Sequence, residues 1–188
     1  MRKCPSNKKG FSLVEALLAI AIFIFILLAL VIIYASYTKV YNYQQETVRV
    51  AGSARLAMNE IQSHALQASH IVQDRSFSGT VYGSDEDALV LEIPAIDESG
   101  DIISGQFDWV VFYKSGNSLY RLVEADADSR RTSGLTELSG AVETLSFSYN
   151  NADLSLASQV EMDIQVRTTT RGQTITHHLH QEIYLRNL

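Results

Sequence analysis

The sequence predicts an α+β protein in which one long N-terminal helix packs on an antiparallel β-sheet. Two observations predict the helix: residues 16–33 are eighteen consecutive apolar residues, and an apolar stripe recurs at spacings of 4, 3, 4, 4, 3 and 4 over residues 50–72. A third observation predicts the sheet, because apolar and polar residues alternate strictly from Val160 to Arg167. The 188 residues suit one globular domain with an appendage.

The first ten residues form a basic leader, with lysine or arginine at positions 2, 3, 8 and 9. The apolar block that follows, Ala16 to Ile33, is ~27 Å long as a helix, close to the thickness of the hydrocarbon core of a bilayer. Positive charge precedes this block and does not return until Lys39. This asymmetry predicts a single-pass membrane protein with a cytoplasmic N-terminus and an extracytoplasmic C-terminal domain.

The charge and the cysteine content exclude some classes of function. The chain carries a formal charge of −6, and removal of the four positive charges of the leader would leave −10. An acidic domain argues against nucleic acid as a partner. Cys4 in the leader is the one cysteine, so the remainder cannot form an internal disulfide.

One helix is expected from Ser12 to about Gln73, because no proline interrupts this segment and Gly52 is its one glycine. Ser12 and Glu15 have the spacing of a capping box. We expect residues 11–33 to form a transmembrane and assembly segment, and residues 34–74 an amphipathic continuation. Tyrosines at positions 34, 37, 41 and 43 lie where the helix would leave the lipid. The alanine-rich stripe would let a sheet approach closely.

Residues 75–188 are expected to form an antiparallel, β-rich domain with one covered and one wet face. A strand is predicted at 88–93, stopped by Pro94, and a hairpin around Ser115-Gly116-Asn117-Ser118. Further strands are predicted at 145–149, at 160–167 and, after a turn at 171–173, at 175–185.

The start of the long helix carries the chemistry. Gly10 is small and follows two lysines, so a protease could cut after it and create an α-amine on Phe11. That amine and Glu15 would be one helical turn apart, ~6 Å. In a bundle of parallel helices, the amine of one chain could meet Glu15 of the next and fix the axial offset between them. The alternative is that Glu15 extends to the membrane interface and has no such role.

Residues 8–23, KKGFSLVEALLAIAIF, resemble the prepilin-type cleavage and methylation motif of type IV pilins and type II secretion pseudopilins. The resemblance implies that a dedicated peptidase cuts between Gly10 and Phe11 and N-methylates Phe11. It also implies that Glu15 aids assembly by pairing with a neighbouring N-terminus. The implied partners are the prepilin peptidase, other pilin or pseudopilin subunits, an inner-membrane assembly platform and, before assembly, the lipid bilayer.

A less specific resemblance extends into the C-terminal domain. The segments WVVFY at 109–113, LYR at 119–121 and VETLSFSY at 142–149 are similar to minor subunits of the J-type pseudopilin or PilW-like group. Such subunits form or cap filament tips. The apolar block lacks the kinking proline, and the C-terminal region lacks the cysteine pair, that many major pilins carry. Both departures favour a minor subunit.

Metal sites are not expected. His178 and His180 would share one face of a strand while His177 points away, which leaves a zinc site incomplete, and His64 and His70 would lie six residues apart on the long helix. Loop carboxylates are weak calcium candidates, but they lack the EF-hand spacing, so solvated charge and no cofactor are expected. These carboxylates are Asp97, Asp101, Asp126 and Asp128.

No nucleophile motif or phosphate-binding glycine loop is visible, and Arg130-Arg131 is expected to be solvated. The sequence therefore predicts a non-enzymatic minor pilin or pseudopilin, a structural subunit of a filament for secretion, adhesion, motility or DNA uptake. One alternative is a single-pass anchored sensor or binding domain that does not polymerise. Another is a secreted enzyme with a cleaved signal peptide.

Overall fold

The structure, a computed structural model, describes residues 10, 12–170 and 172–185. It divides into two compact units, Met1–Gln45 and Glu46–Leu188. Helix α1 spans Leu13–Ala65. The strands described are β1 (His70–Ile71), β2 (Asp74–Phe77), β3 (Thr80–Gly83), β4 (Ala88–Ile96), β5 (Ile102–Ser115), β6 (Ser118–Glu124), β7 (Gly134–Ser139), β8 (Val142–Tyr149), β9 (Gln159–Thr170) and β10 (Gln173–Tyr184). A short 3-10 helix, Leu154–Leu156, lies between β8 and β9.

In the first unit, the structure describes the N-terminal part of α1. Every described residue before Thr38 is exposed, including the whole apolar block. The helix contains an eighteen-residue window of mean hydropathy 3.5 in which no residue is buried, and it is long and apolar enough to cross a membrane. The long apolar helix predicted for this part of the chain is confirmed.

In the second unit, α1 ends at Ala65, so the prediction that it continues to about Gln73 was wrong. Beyond Ala65 the backbone pairs with a strand instead. The N–H of Ser69 donates to the carbonyl of Glu92 (2.8 Å), and the N–H of Val72 donates to the carbonyl of Val90 (3.0 Å). The periodicity of the helical segment cannot reveal this pairing, because the partners Glu92 and Val90 lie 23 and 18 residues further along the chain. His70 therefore belongs to β1 and not to the helix.

All strand pairs are antiparallel, as predicted, but they form three sheets and not one. The orders are β1-β4-β5-β6-β7, β10-β9-β8 and β2-β3. The predicted hairpin joins β5 to β6, with Ser115 opposite Ser118. Gly116 in its two-residue turn has φ +61°, a conformation that glycine adopts without strain.

The predicted stripe of α1 faces the core. Val50, Ala54, Ala57, Ile61 and Ala65 are each at most 1% exposed. The three alanines among them have small side chains, which allow the inner faces of the two larger sheets to approach the helix. The sheet residues in this core include Leu89, Leu91, Ile93, Val110, Phe112, Leu145, Phe147, Met162 and Ile164.

Two expectations for the five-stranded sheet were wrong. Strand β4 does not stop at Pro94 but continues through it to Ile96. The short strand β1 pairs only with Leu91 and Glu92, so no strand on that side requires the N–H that Pro94 lacks. The outer face is not wet throughout, because Phe77 of the β2-β3 hairpin packs on Val90 and Val111. The half-buried alternation predicted for β9 is confirmed.

Candidate functional site

The first turn of α1 is closed by two hydrogen bonds. The backbone N–H of Ser12 donates to Oε2 of Glu15 (3.0 Å), and the N–H of Val14 donates to Oγ of Ser12 (3.4 Å). Ser12 thus caps the helix as predicted, and Glu15 makes its half of the capping box, although Oγ of Ser12 accepts from Val14 and not from Glu15. Two of the amide groups that a helix start leaves without partners are satisfied, and the Glu15 carboxylate lies at the positive end of the helix dipole.

Of the residues before this turn, the structure describes Gly10. Gly10 is exposed, and a Cβ added to it would meet no atom within 4 Å. The fold described here therefore places no steric demand for glycine at this position. Phe11, the other residue of the predicted cleavage site, lies outside the described residues, as does the leader at 1–9.

Beyond the first turn, α1 exposes large apolar side chains around its whole circumference. The exposed fractions of Leu17, Phe25 and Ile32 are 60%, 73% and 66%. A helix that is apolar on every side is stable in lipid or among other helices, and not in water. The capped carboxylate lies immediately N-terminal to this surface.

Comparison with known protein families assigns this region. Residues 5–31 match the family described as the prokaryotic N-terminal methylation motif. This match supports the predicted resemblance of the chain to the type IV pilin and pseudopilin family. The matched segment contains Gly10, Phe11 and Glu15 together with most of the apolar block. No curated protein sequence matches the chain.

For a pilin-like subunit, the motif implies processing by a prepilin peptidase and assembly with other subunits. Pilins are structural proteins and not enzymes. The long apolar helix is consistent with membrane anchoring.

The histidines of β10 lie where the strand alternation predicted. Nε2 of His178 and Nδ1 of His180 are 3.1 and 3.2 Å from the same oxygen, Oδ1 of Asp163 on β9. Across residues 10, 12–170 and 172–185, no group of three or more histidine, cysteine or acidic side chains is arranged to hold a metal ion.

Of the four weak calcium candidates, Asp97, Asp126 and Asp128 accept hydrogen bonds through their carboxylates, and Asp101 takes part through its backbone N–H. Oδ1 of Asp97 accepts from the N–H groups of Ser99 (2.9 Å) and Asp101 (3.0 Å), which closes the β4-β5 turn. In the β6-β7 loop, Asp126 accepts from the N–H of Asp128 (3.1 Å). Oδ2 of Asp128 accepts from Nε2 of Gln106 (3.0 Å). These carboxylates stabilise the turns in which they lie.

An ion pair that the sequence analysis missed holds the β6-β7 loop. Asp108 is fully buried, and its Oδ2 accepts from Nη1 of Arg131 (2.6 Å) and Oγ of Ser129 (2.7 Å). Arg131 also donates to the carbonyl of Pro94 (2.7 Å) and to Oε1 of Gln67 (2.8 Å), just beyond α1. The expectation that Arg131 is solvated was therefore wrong.

A signal for this pair was present in the sequence. Asp108 has the same parity along β5 as Val110 and Phe112, both of which face the core. A carboxylate at an inward position requires a partner. The alternation could have predicted that Asp108 is buried, but it could not name Arg131, which is twenty-three residues away.

A second ion pair joins α1 to β6. Arg121 donates through Nη1 to Oε1 of Glu60 on the helix and through Nη2 to Oγ1 of Thr136 (3.2 Å). One turn further on, His64 packs edge-on against Phe112, with ring centroids 5.6 Å apart. Burial lowers the pKa of the His64 imidazole below its ordinary value, which favours the neutral ring in the folded protein.

Proposed function

We propose that this chain is a minor pilin or pseudopilin, a tip or initiating subunit of a membrane-anchored filament that serves secretion, adhesion, motility or DNA uptake. The start of α1 carries the proposal: a carboxylate, Glu15, lies in the first turn, immediately before an apolar block whose side chains are exposed on all sides of the helix. A minor role is supported by an apolar block without proline and by the lack of cysteine after Cys4.

In this proposal the N-terminus is cytoplasmic and the β-rich domain is extracytoplasmic. Hydrolysis of the Gly10–Phe11 peptide bond releases the leader and leaves an α-amine on Phe11. That amine then accepts a methyl group from a methyl-donor co-substrate of the peptidase and releases a proton. The apolar helix leaves the lipid and packs among the helices of other subunits. The assembly platform of the inner membrane would accept the processed chain.

Glu15 would have one partner before assembly and another afterwards. A charged side chain at the centre of a membrane span costs about 2.5–3.5 kcal/mol, and less near its end. In the single chain, the N–H of Ser12 offsets part of this cost through a hydrogen bond to a carboxylate. In a filament, the α-amine of a neighbouring Phe11 would supply an opposite charge. The pair would then fix the axial offset between subunits.

Two substitutions at Glu15 separate the local role from the intersubunit role. Gln at this position can still accept the Ser12 N–H, so Glu15→Gln keeps the cap and removes the charge, whereas Glu15→Leu removes both. We expect both full-length variants to insert in the membrane but to be recovered at least several-fold less with the major subunits in pull-downs. If Glu15→Gln assembles as the wild type does, the ion pair is not needed and only the cap matters.

The rival function is a single-pass anchored domain that does not polymerise. One observation favours it: the Glu15 carboxylate already accepts a hydrogen bond from the N–H of Ser12 in its own chain. A neighbouring subunit is therefore not required to explain why an acidic residue lies at this point of the helix. The mass of the protein purified from membranes decides between the two. A processed subunit begins at a methylated Phe11, whereas a chain that still begins at Met1 would contradict the proposal.

A further inference from the structure

A pocket lies where the two larger sheets meet. The N–H of Phe147 on β8 donates to the carbonyl of Glu86 (2.8 Å), just before β4. The hydroxyl of Tyr149 donates to the carbonyls of Asp85 (3.1 Å) and Ala88 (3.0 Å). These bonds join β8 to the segment 85–88. Beside them opens a cavity of about 550 Å³, here called the junction pocket, within the size range of ligand sites.

The walls of the junction pocket are fixed before any ligand arrives. Oδ1 of Asp85 accepts from the N–H groups of Asp87 (2.8 Å) and Ala88 (2.9 Å), which holds the segment in a turn. Phe147 is 4% exposed and cannot turn away. Burial raises the pKa of the Tyr149 phenol, so this group stays neutral and keeps donating to the two carbonyls. A preorganised site loses little conformational entropy on binding.

The charged residues that line the junction pocket are all acidic. Asp85 and Glu86 line it, together with the partly buried Tyr149, the core residue Phe147 and Asn151, and no lysine, arginine or histidine is among its lining residues. Among the ion pairs of the residues that the structure describes, none includes Asp85 or Glu86. Carboxylates beside aromatic rings attract cations and repel anions.

We propose that the junction pocket binds the side chain of an arginine from a partner polypeptide. A guanidinium is planar, so it can stack on the partly buried ring of Tyr149 and donate two parallel hydrogen bonds to a carboxylate such as that of Glu86. The ammonium of lysine is compact and strongly hydrated, and gains less from a ring beside a carboxylate. This inference does not depend on whether the chain polymerises, because it rests only on the second unit.

Nuclear magnetic resonance of the ¹⁵N-labelled full chain in detergent micelles tests the proposal. The probe is N-acetyl-arginine amide, and N-acetyl-citrulline amide is its neutral counterpart of the same shape. We expect the arginine probe to shift the backbone amide signals of Glu86 and Phe147 with saturation, and the citrulline probe to leave them in place. Shifts that do not saturate, or equal shifts with citrulline, would overturn the proposal. So would tighter binding of N-acetyl-lysine amide than of the arginine probe.

Three variants test whether the arginine probe binds in the junction pocket. Glu86→Gln should weaken binding of the arginine probe by about fivefold, as expected for one exposed charge pair. Glu98→Gln, an exposed acid in the β4-β5 turn, should bind the probe like the wild type. Ala152→Trp should abolish binding by filling the pocket, since Ala152 is an exposed lining residue. Unchanged affinity in both Glu86→Gln and Ala152→Trp would place the probe elsewhere and refute the assignment.

Discussion

Replacing Arg131 by methionine should strongly destabilise the second unit. The substitution keeps most of the length of the side chain and removes its charge. Asp108, which is 0% exposed, would then keep two neutral donors, the N–H of Asp126 (2.8 Å) and Oγ of Ser129 (2.7 Å). Removing one partner of a buried ion pair costs about 3–5 kcal/mol, because the other charge is left without compensation. This is a large fraction of the roughly 5–15 kcal/mol that stabilises a typical domain.

The thermal midpoint of unfolding provides the assay. A loss of this size should lower Tm by roughly 6–20 °C in a domain of this class. Trp109, the one tryptophan, lies next to Asp108 on β5, under the guanidinium of Arg75 (3.7 Å to the ring centroid). Its fluorescence should therefore report loss of the sheet in the full chain in detergent.

The neighbouring arginine supplies a matched control. Arg130 has an exposed side chain, and its backbone N–H, which donates to the carbonyl of Ile96 (2.7 Å), survives substitution. Arg130→Met should therefore change stability by no more than about 0.5 kcal/mol. Equal midpoints for Arg130→Met and Arg131→Met would refute the energetic reasoning about Asp108. The double variant Asp108→Leu/Arg131→Met should recover part of the loss, because no buried charge remains.

Three further predictions concern the leader, the core and the dependence on pH. Gly10→Val should block processing although no atom lies within 4 Å of the new Cβ, and a mature-length band on a gel would contradict this. Ile61→Ala should lower the free energy of unfolding by about 2–5 kcal/mol, measured by denaturant titration, since Ile61 is fully buried in the core. Burial lowers the pKa of His64 in the fold, so the unfolded chain binds the proton more readily than the folded chain. The wild type should therefore lose stability as pH falls below about 6.5, and His64→Gln should lose less; equal slopes of Tm between pH 7.5 and 5.5 would contradict the assignment.

The strands show where local pattern is sufficient. The alternation of β9 and the turn at Gly116-Asn117 were predicted correctly, because side-chain parity and hairpin geometry depend on neighbouring residues alone. The prediction that β4 stops at Pro94 failed because the outcome depends on distant residues. Whether a proline ends a strand depends on which neighbours flank that strand, and only the folded sheet shows that β1 stops short of Pro94.

The sequence by itself determined the first turn and the apolar body of α1, and with them the processing motif. A capping box needs residues three apart, and a membrane-length helix needs a continuous apolar run, so both are encoded locally. The tertiary structure decided where the helix ends, which charges are buried and where the junction pocket opens. Ser69 with Glu92, Asp108 with Arg131, and Glu86 with Phe147 are each more than twenty residues apart. Such contacts form only when the whole chain competes for hydrogen bonds and for burial, and a local window of sequence contains no record of that competition.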